Sequence, residues 1–172
     1  MSTTALDTVA WDLEPLVGGE GDAGCTRLLT EALGRAETFA AQHAGRVAEL
    51  DGPGLVAAVA ELAAISDLVS RAGNYASLRF SVDTADPEVG ALVALVQERG
   101  TEIETKLIFF ELEWASLDDA RADELLEADG LDQSRHFLRS ARRYREHLLT
   151  EPEEKILAEK SVTGSGAWSR LF

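Results

Sequence analysis

The sequence is poor in the features most function classes need. It has one cysteine, Cys25, so no internal disulfide and no cysteine-rich zinc module can form. That usage fits a reducing compartment, with Cys25 expected to be a small buried apolar residue. Bases number 16 against 31 acids, a formal charge of -15. A phosphate backbone needs matched positive charge, so nucleic acid is not an expected partner. No run of 18 apolar residues occurs, so no membrane span is expected. Met1 to Asp7 lacks the basic stretch and apolar run of a secretory leader. The expected location is therefore the cytoplasm. No long apolar and polar alternation marks a strand, and no fixed period marks a solenoid.

Catalytic constellations are missing as well. The three histidines, His43, His136 and His147, are never three or four residues apart, so no helical pair grips a metal. There is no Glu-x-x-His of the kind di-metal carboxylate bundles use. Neither a dinucleotide fingerprint nor a phosphate loop with its lysine occurs. No serine has an evident His and Asp partner set.

What the sequence does contain is helix. The 172 residues, 45% hydrophobic and 27% charged, suit one soluble domain with its own core. From about Asp22 apolar residues recur at helical steps: Cys25, Leu28, Leu29, Ala32, Leu33, Ala36, Phe39 and Ala40. Asp51-Gly-Pro-Gly54 breaks this helix and starts the next, with Asp51 as cap and Pro53 in the first turn. Its face runs from Leu55 through Val59, Leu62 and Val69 to Tyr75, Ala76 and on toward Phe80. Asp86-Pro87-Glu88 opens a third helix with a cap, a first-turn proline and an acid at the positive dipole end. There Val89, Val93, Val96, Gly100, Ile103, Leu107, Phe110 and Trp114 form a heptad seam. Gly100 on that seam predicts a close helix neighbour, and the seam predicts a partner helix along its full length. Ser116 with Asp119 resembles a capping box, opening a short helix that should end at Gly130. A further helix is expected from about Asp132 to Leu149, with Phe137, Leu138, Ala141, Tyr144 and Leu148 inward. Thr150-Glu-Pro-Glu153 is a capping box with proline, and Thr163-Gly-Ser-Gly166 breaks the helix it starts. The fold class is thus all-α: long antiparallel helices in an up-and-down bundle or hairpin arrangement.

Two features carry binding chemistry. Arg135, Arg139, Arg142, Arg143 and Arg145 crowd eleven residues, and Arg135, Arg139 and Arg142 share one helix side. They are candidates for an anion or carboxylate contact, or for docking on an acidic partner. The competing reading, favoured by the overall charge, is a solvated face balancing Asp118, Asp119, Asp123, Glu124 and Glu127. Among the tryptophans, Trp114 lies on the seam and belongs in the core. Trp168 and Phe172 follow the last helix break and, with Ile156, are candidates for contact with another domain.

The run Leu149 to Phe172, with its Glu-Pro-Glu-Glu helix, then Thr163-Gly164 and Ala167-Trp168, resembles the oligoendopeptidase F family of zinc peptidases. Trp11-Asp-Leu13, Tyr75 to Phe80 with Asp83, Glu104 to Glu113, and Arg142-Arg-Tyr144 to His147-Leu148 are similar to its segments in the same order. The resemblance implies a non-catalytic N-terminal helical domain over 1–149, with 150–172 starting the connection into a catalytic domain beyond Phe172. It implies zinc held outside these residues by a His-Glu-x-x-His helix that this sequence lacks. It also implies short peptides as substrates of the complete protein, with the helical region walling their channel. On this reading the chain alone is inactive, and no catalytic, cofactor or metal role falls on any of its residues. The alternative is a stand-alone helical interaction module or dimer using the seam.

Overall fold

The computed structural model describes residues 11–171, and Phe172 lies outside them. Seven α-helices follow in order: α1 Gly21–His43, α2 Gly52–Val82, α3 Pro87–Ser116, α4 Asp119–Leu126, α5 Arg135–Arg143, α6 Glu151–Thr163 and α7 Ser165–Leu171. Short 3-10 turns at Glu14–Val17, Val47–Glu49 and Arg145–His147 join them. There is no strand among the described residues.

The helix starts follow the sequence closely. Asp51 accepts a hydrogen bond from the Gly54 amide at 2.8 Å. Asp86 accepts from Glu88 at 2.8 Å and from Val89 at 3.4 Å. The Thr150–Glu153 capping box forms, with the Thr150 amide donating to the Glu153 carboxylate at 2.9 Å. Each satisfies amides that the first turn leaves orphaned.

Helices α1, α2 and α3 pack on one another and hold the core. Only residues 83–86 separate α2 from α3; packed helices of roughly 45 Å joined so briefly form a hairpin. Cys25, Leu28, Leu29, Ala32 and Phe39 of α1 meet Leu55, Ile65, Ala72 and Tyr75 of α2 and Ile103, Phe110 and Trp114 of α3. The Phe39 ring lies 5.9 and 5.8 Å from those of Phe109 and Phe110.

Three expectations are corrected. Along α3, Val93 and Leu107 are only half-buried, whereas Leu92 and Phe109 are buried. A straight 3.6-residue helix drifts about 20° per heptad from a 3.5-residue seam; the other side chains of the seam, Val89, Val96, Ile103, Phe110 and Trp114, are buried as expected. Nor does Gly100 admit a close neighbour: a Cβ there would meet only Val69, at 4.0 Å. Secondly, Ser116 does not cap α4. Its hydroxyl donates to the Glu113 carbonyl of its own helix at 2.8 Å, and Asp118 caps instead, accepting from Ala120 at 2.9 Å. Thirdly, the helix expected over 132–149 is reduced to α5 and a 3-10 turn. Like charges at helical spacing oppose its extension. Leu138 and Ala141 face inward, but Phe137 and Tyr144 are exposed.

Candidate functional site

A groove of about 800 Å³ runs beside α2 and α3. One wall is α2, through Val59, Leu62, Ala63 and Val69. The other is α3, through Gln97, Gly100, Thr101, Glu104, Leu107, Ile108 and Glu111. Phe137 of α5, with Ser161 and Val162 at the end of α6, lines the remaining side. Size, mostly apolar lining and a few polar groups are the features of a binding cleft. The charged lining residues are Glu104 and Glu111, and no base lines the groove.

The groove explains a surplus in α2. By length and composition α2 is apolar enough to cross a membrane, although its apolar residues form no unbroken run of 18. In the structure one side of α2 enters the core and another lines the groove. An apolar helix face left outside a core is expected at an interaction surface.

The C-terminal arm, α6 and α7, lies on the outside of this body. α6 contains no buried residue; it rests on α3 and carries α7. A second cavity of about 390 Å³ lies along the contact between α3 and α6, lined by Glu104, Ile108, Glu111, Leu112, Glu154 and Leu157 among others. Ile156 and Leu157 are each 58% exposed and Trp168 is 62% exposed. Ile156 and Trp168, the described residues expected to meet another domain, therefore present bare apolar side chains. Phe172, expected beside them, is outside the described residues.

The arginines divide. Arg135 donates to the carbonyls of Leu126 at 2.9 Å and Ala128 at 3.4 Å, beside an ion pair with Asp132. Arg142, with its side chain only 10% exposed, donates to the carbonyls of Trp114 and Leu117, both at 2.8 Å, and to Asp119. Its guanidinium lies 5.8 Å from the Trp114 ring, whose indole N–H donates to the Leu138 carbonyl at 2.8 Å. These carbonyls belong to helix ends, where the dipole is negative and a cation is favoured. Arg142 and Arg145 together hold the Asp119 carboxyl below the usual aspartate range. Arg139 is exposed, with no hydrogen bond or ion pair. The sequence spacing put three arginines on one side, but only Arg135 and Arg142 reach helix-end carbonyls. Those carbonyls lie 7 to 28 residues back along the chain, and spacing within one helix holds no sign of them.

Other titratable groups are accounted for. Cys25 is buried, its thiol pushed up by burial and then by Asp22, and its Sγ lies 3.7 Å from the Ala72 carbonyl oxygen. His43 stacks on Phe39 with ring centres 4.6 Å apart. Among the described residues no group of three or more His, Cys, Asp or Glu is placed to hold a metal ion. The chain's described side chains therefore do not fit a zinc cage of their own.

Residues 113–172 match the Oligopeptidase F family model (Peptidase_M3_N). The matched stretch begins in the last turn of α3 and takes in α4 to α7. It supports an oligoendopeptidase F-type N-terminal region there, and with it a peptidase-associated helical N-terminal domain. No curated protein and no solved structure matches the chain.

Proposed function

We propose that this chain is the non-catalytic N-terminal helical part of an oligoendopeptidase F-like zinc metalloendopeptidase that cleaves short peptides. The observation that carries the proposal is the family match over residues 113–172. It covers the arm whose apolar side chains the bundle leaves exposed. An arm that buries little of itself is suited to burying that surface elsewhere. Ile156 and Trp168, with Phe172 four residues beyond Trp168 in sequence, then contact the catalytic part, and the α2–α3 groove walls the peptide channel. Zinc, the activated water and the general base belong to a His-Glu-x-x-His helix outside these residues. The described side chains contribute shape and orientation only, and a walled channel admits short unfolded peptides while excluding folded proteins.

The gene provides the first test. The reading frame is expected to continue past codon 172 and to encode His-Glu-x-x-His. Its full product is expected to hydrolyse a short peptide, to stop on zinc chelation and to recover on zinc addition. The 172-residue chain alone is expected to do neither. A stop codon after Phe172, or zinc-dependent hydrolysis by the short chain, contradicts the proposal.

A further inference from the structure

We propose that the groove between α2 and α3 binds a basic, apolar stretch of polypeptide, its apolar side chains between the helices and its Lys or Arg side chains on Glu104 and Glu111. The inference deepens the reading of the groove as a channel wall by giving the chemistry of what lies in it. Binding needs neither zinc nor catalysis, so its failure leaves the peptidase assignment standing.

Shape comes first. The α3 wall runs from Gln97 to Glu111, about 21 Å at 1.5 Å per residue. That length takes roughly six residues of extended chain, more than a compact small molecule spans. Lining chemistry comes second. Leu62 and Val69 from α2 face Leu107 and Ile108 from α3, so apolar side chains supply most of the driving force. Charge decides the rest. Glu104 and Glu111 are exposed and make no hydrogen bond or ion pair, although acids elsewhere on the chain find arginines. They lie seven residues apart, two helical turns on one face, about 10 Å along the axis. Both also line the second cavity, where Glu154 joins them. Every charge along both cavities is negative, so acidic peptides are repelled and basic ones attracted.

The test uses the 172-residue chain and a fluorescein-labelled octapeptide alternating leucine and lysine, read by anisotropy at physiological salt. Two further octapeptides replace lysine with glutamate, or leucine with serine. The leucine–lysine peptide is expected to bind at least about tenfold more tightly than either. E104Q/E111Q is expected to weaken it about three- to tenfold, the worth of two exposed ion pairs. Ala63→Trp, which fills the groove from an exposed position, is expected to abolish binding with the thermal midpoint unchanged. E98Q/D123N removes two exposed acids away from the groove and is expected to change affinity less than about twofold. Equal binding of the glutamate peptide overturns the proposal. So does equal weakening by E98Q/D123N, which marks diffuse attraction to a chain of charge -15, or full binding by A63W.

Discussion

The body of the molecule and its C-terminal arm are both helical, both correctly capped and both charged, yet they differ in what they bury. Helices α1 to α3 share one core in which Phe39, Ile65, Ile103 and Trp114 are nearly inaccessible. α6 has no buried residue and leaves Ile156 and Leu157 more than half exposed. The difference shows that helix formation and tertiary burial are separable. A capping box and first-turn proline suffice to start α6, whereas what fixes its position lies off the helix. The family match spans both kinds of region, the buried Trp114, Leu125, Leu131 and Leu138 as well as the exposed arm.

The largest effect that sharpens this contrast is expected at Trp114. Trp114→Ala removes a ring 1% exposed together with its hydrogen bond to the Leu138 carbonyl; it is expected to lose about 3–5 kcal/mol in urea unfolding. A loss under ~1 kcal/mol would place Trp114 outside the core. At the junction of body and α5, Arg142→Met removes the guanidinium that donates to the carbonyls of Trp114 and Leu117 and is expected to lose about 1–3 kcal/mol. Arg139→Met, one turn away and exposed, is expected to stay within about 0.5 kcal/mol. Equal losses at the two positions would show that the cluster acts through net charge.

A smaller effect ties α1 to α2. Arg35 donates to both Glu61 oxygens, at 2.8 and 2.7 Å, which holds the Glu61 carboxyl below the usual glutamate range. Both side chains are more than a third exposed, so Glu61→Gln is expected to lose less than about 1 kcal/mol at pH 7. The folded carboxyl is more acidic than the unfolded one, so its stabilisation is complete above the ordinary glutamate value. It fades as pH falls through the lowered one. The gap between wild type and E61Q in denaturant midpoint therefore closes in acid, and a gap that widens there would reverse the sign. The smallest effect is in the arm: Trp168→Ala is expected to shift stability by less than about 0.5 kcal/mol.

Much of the body was legible in the sequence. Asp51, Asp86 and Thr150 each signalled a helix start by residue type and by the proline that follows, and the caps formed where the signals stood. The α1 periodicity placed Cys25, Leu28, Ala32 and Phe39 inward, as found. What failed depended on partners distant in sequence. The heptad reading of α3 placed Val96, Ile103, Phe110 and Trp114 inward, as found, but missed Leu92 and Phe109. The actual neighbours change along the helix, so Leu107 borders a groove while Phe109 fills the core. The arginine run read as one face because its carbonyl partners lie on α3 and α4. The groove itself was hidden: Leu62, Val69, Ile108 and Glu111 belong to separate helices, and its one sequence trace was the apolar surplus of α2.

Amide hydrogen exchange compares the two regions most directly, measured on the 172-residue chain and on the product of the complete reading frame. In the short chain, amides within α1 to α3 are expected to exchange through global unfolding, and those of α6 through local opening, orders of magnitude faster. In the longer product α6 is expected to become as protected as α3. Protection of α6 equal to that of α3 in the short chain, or no gain in the longer one, would contradict a body that is complete and an arm that awaits its partner.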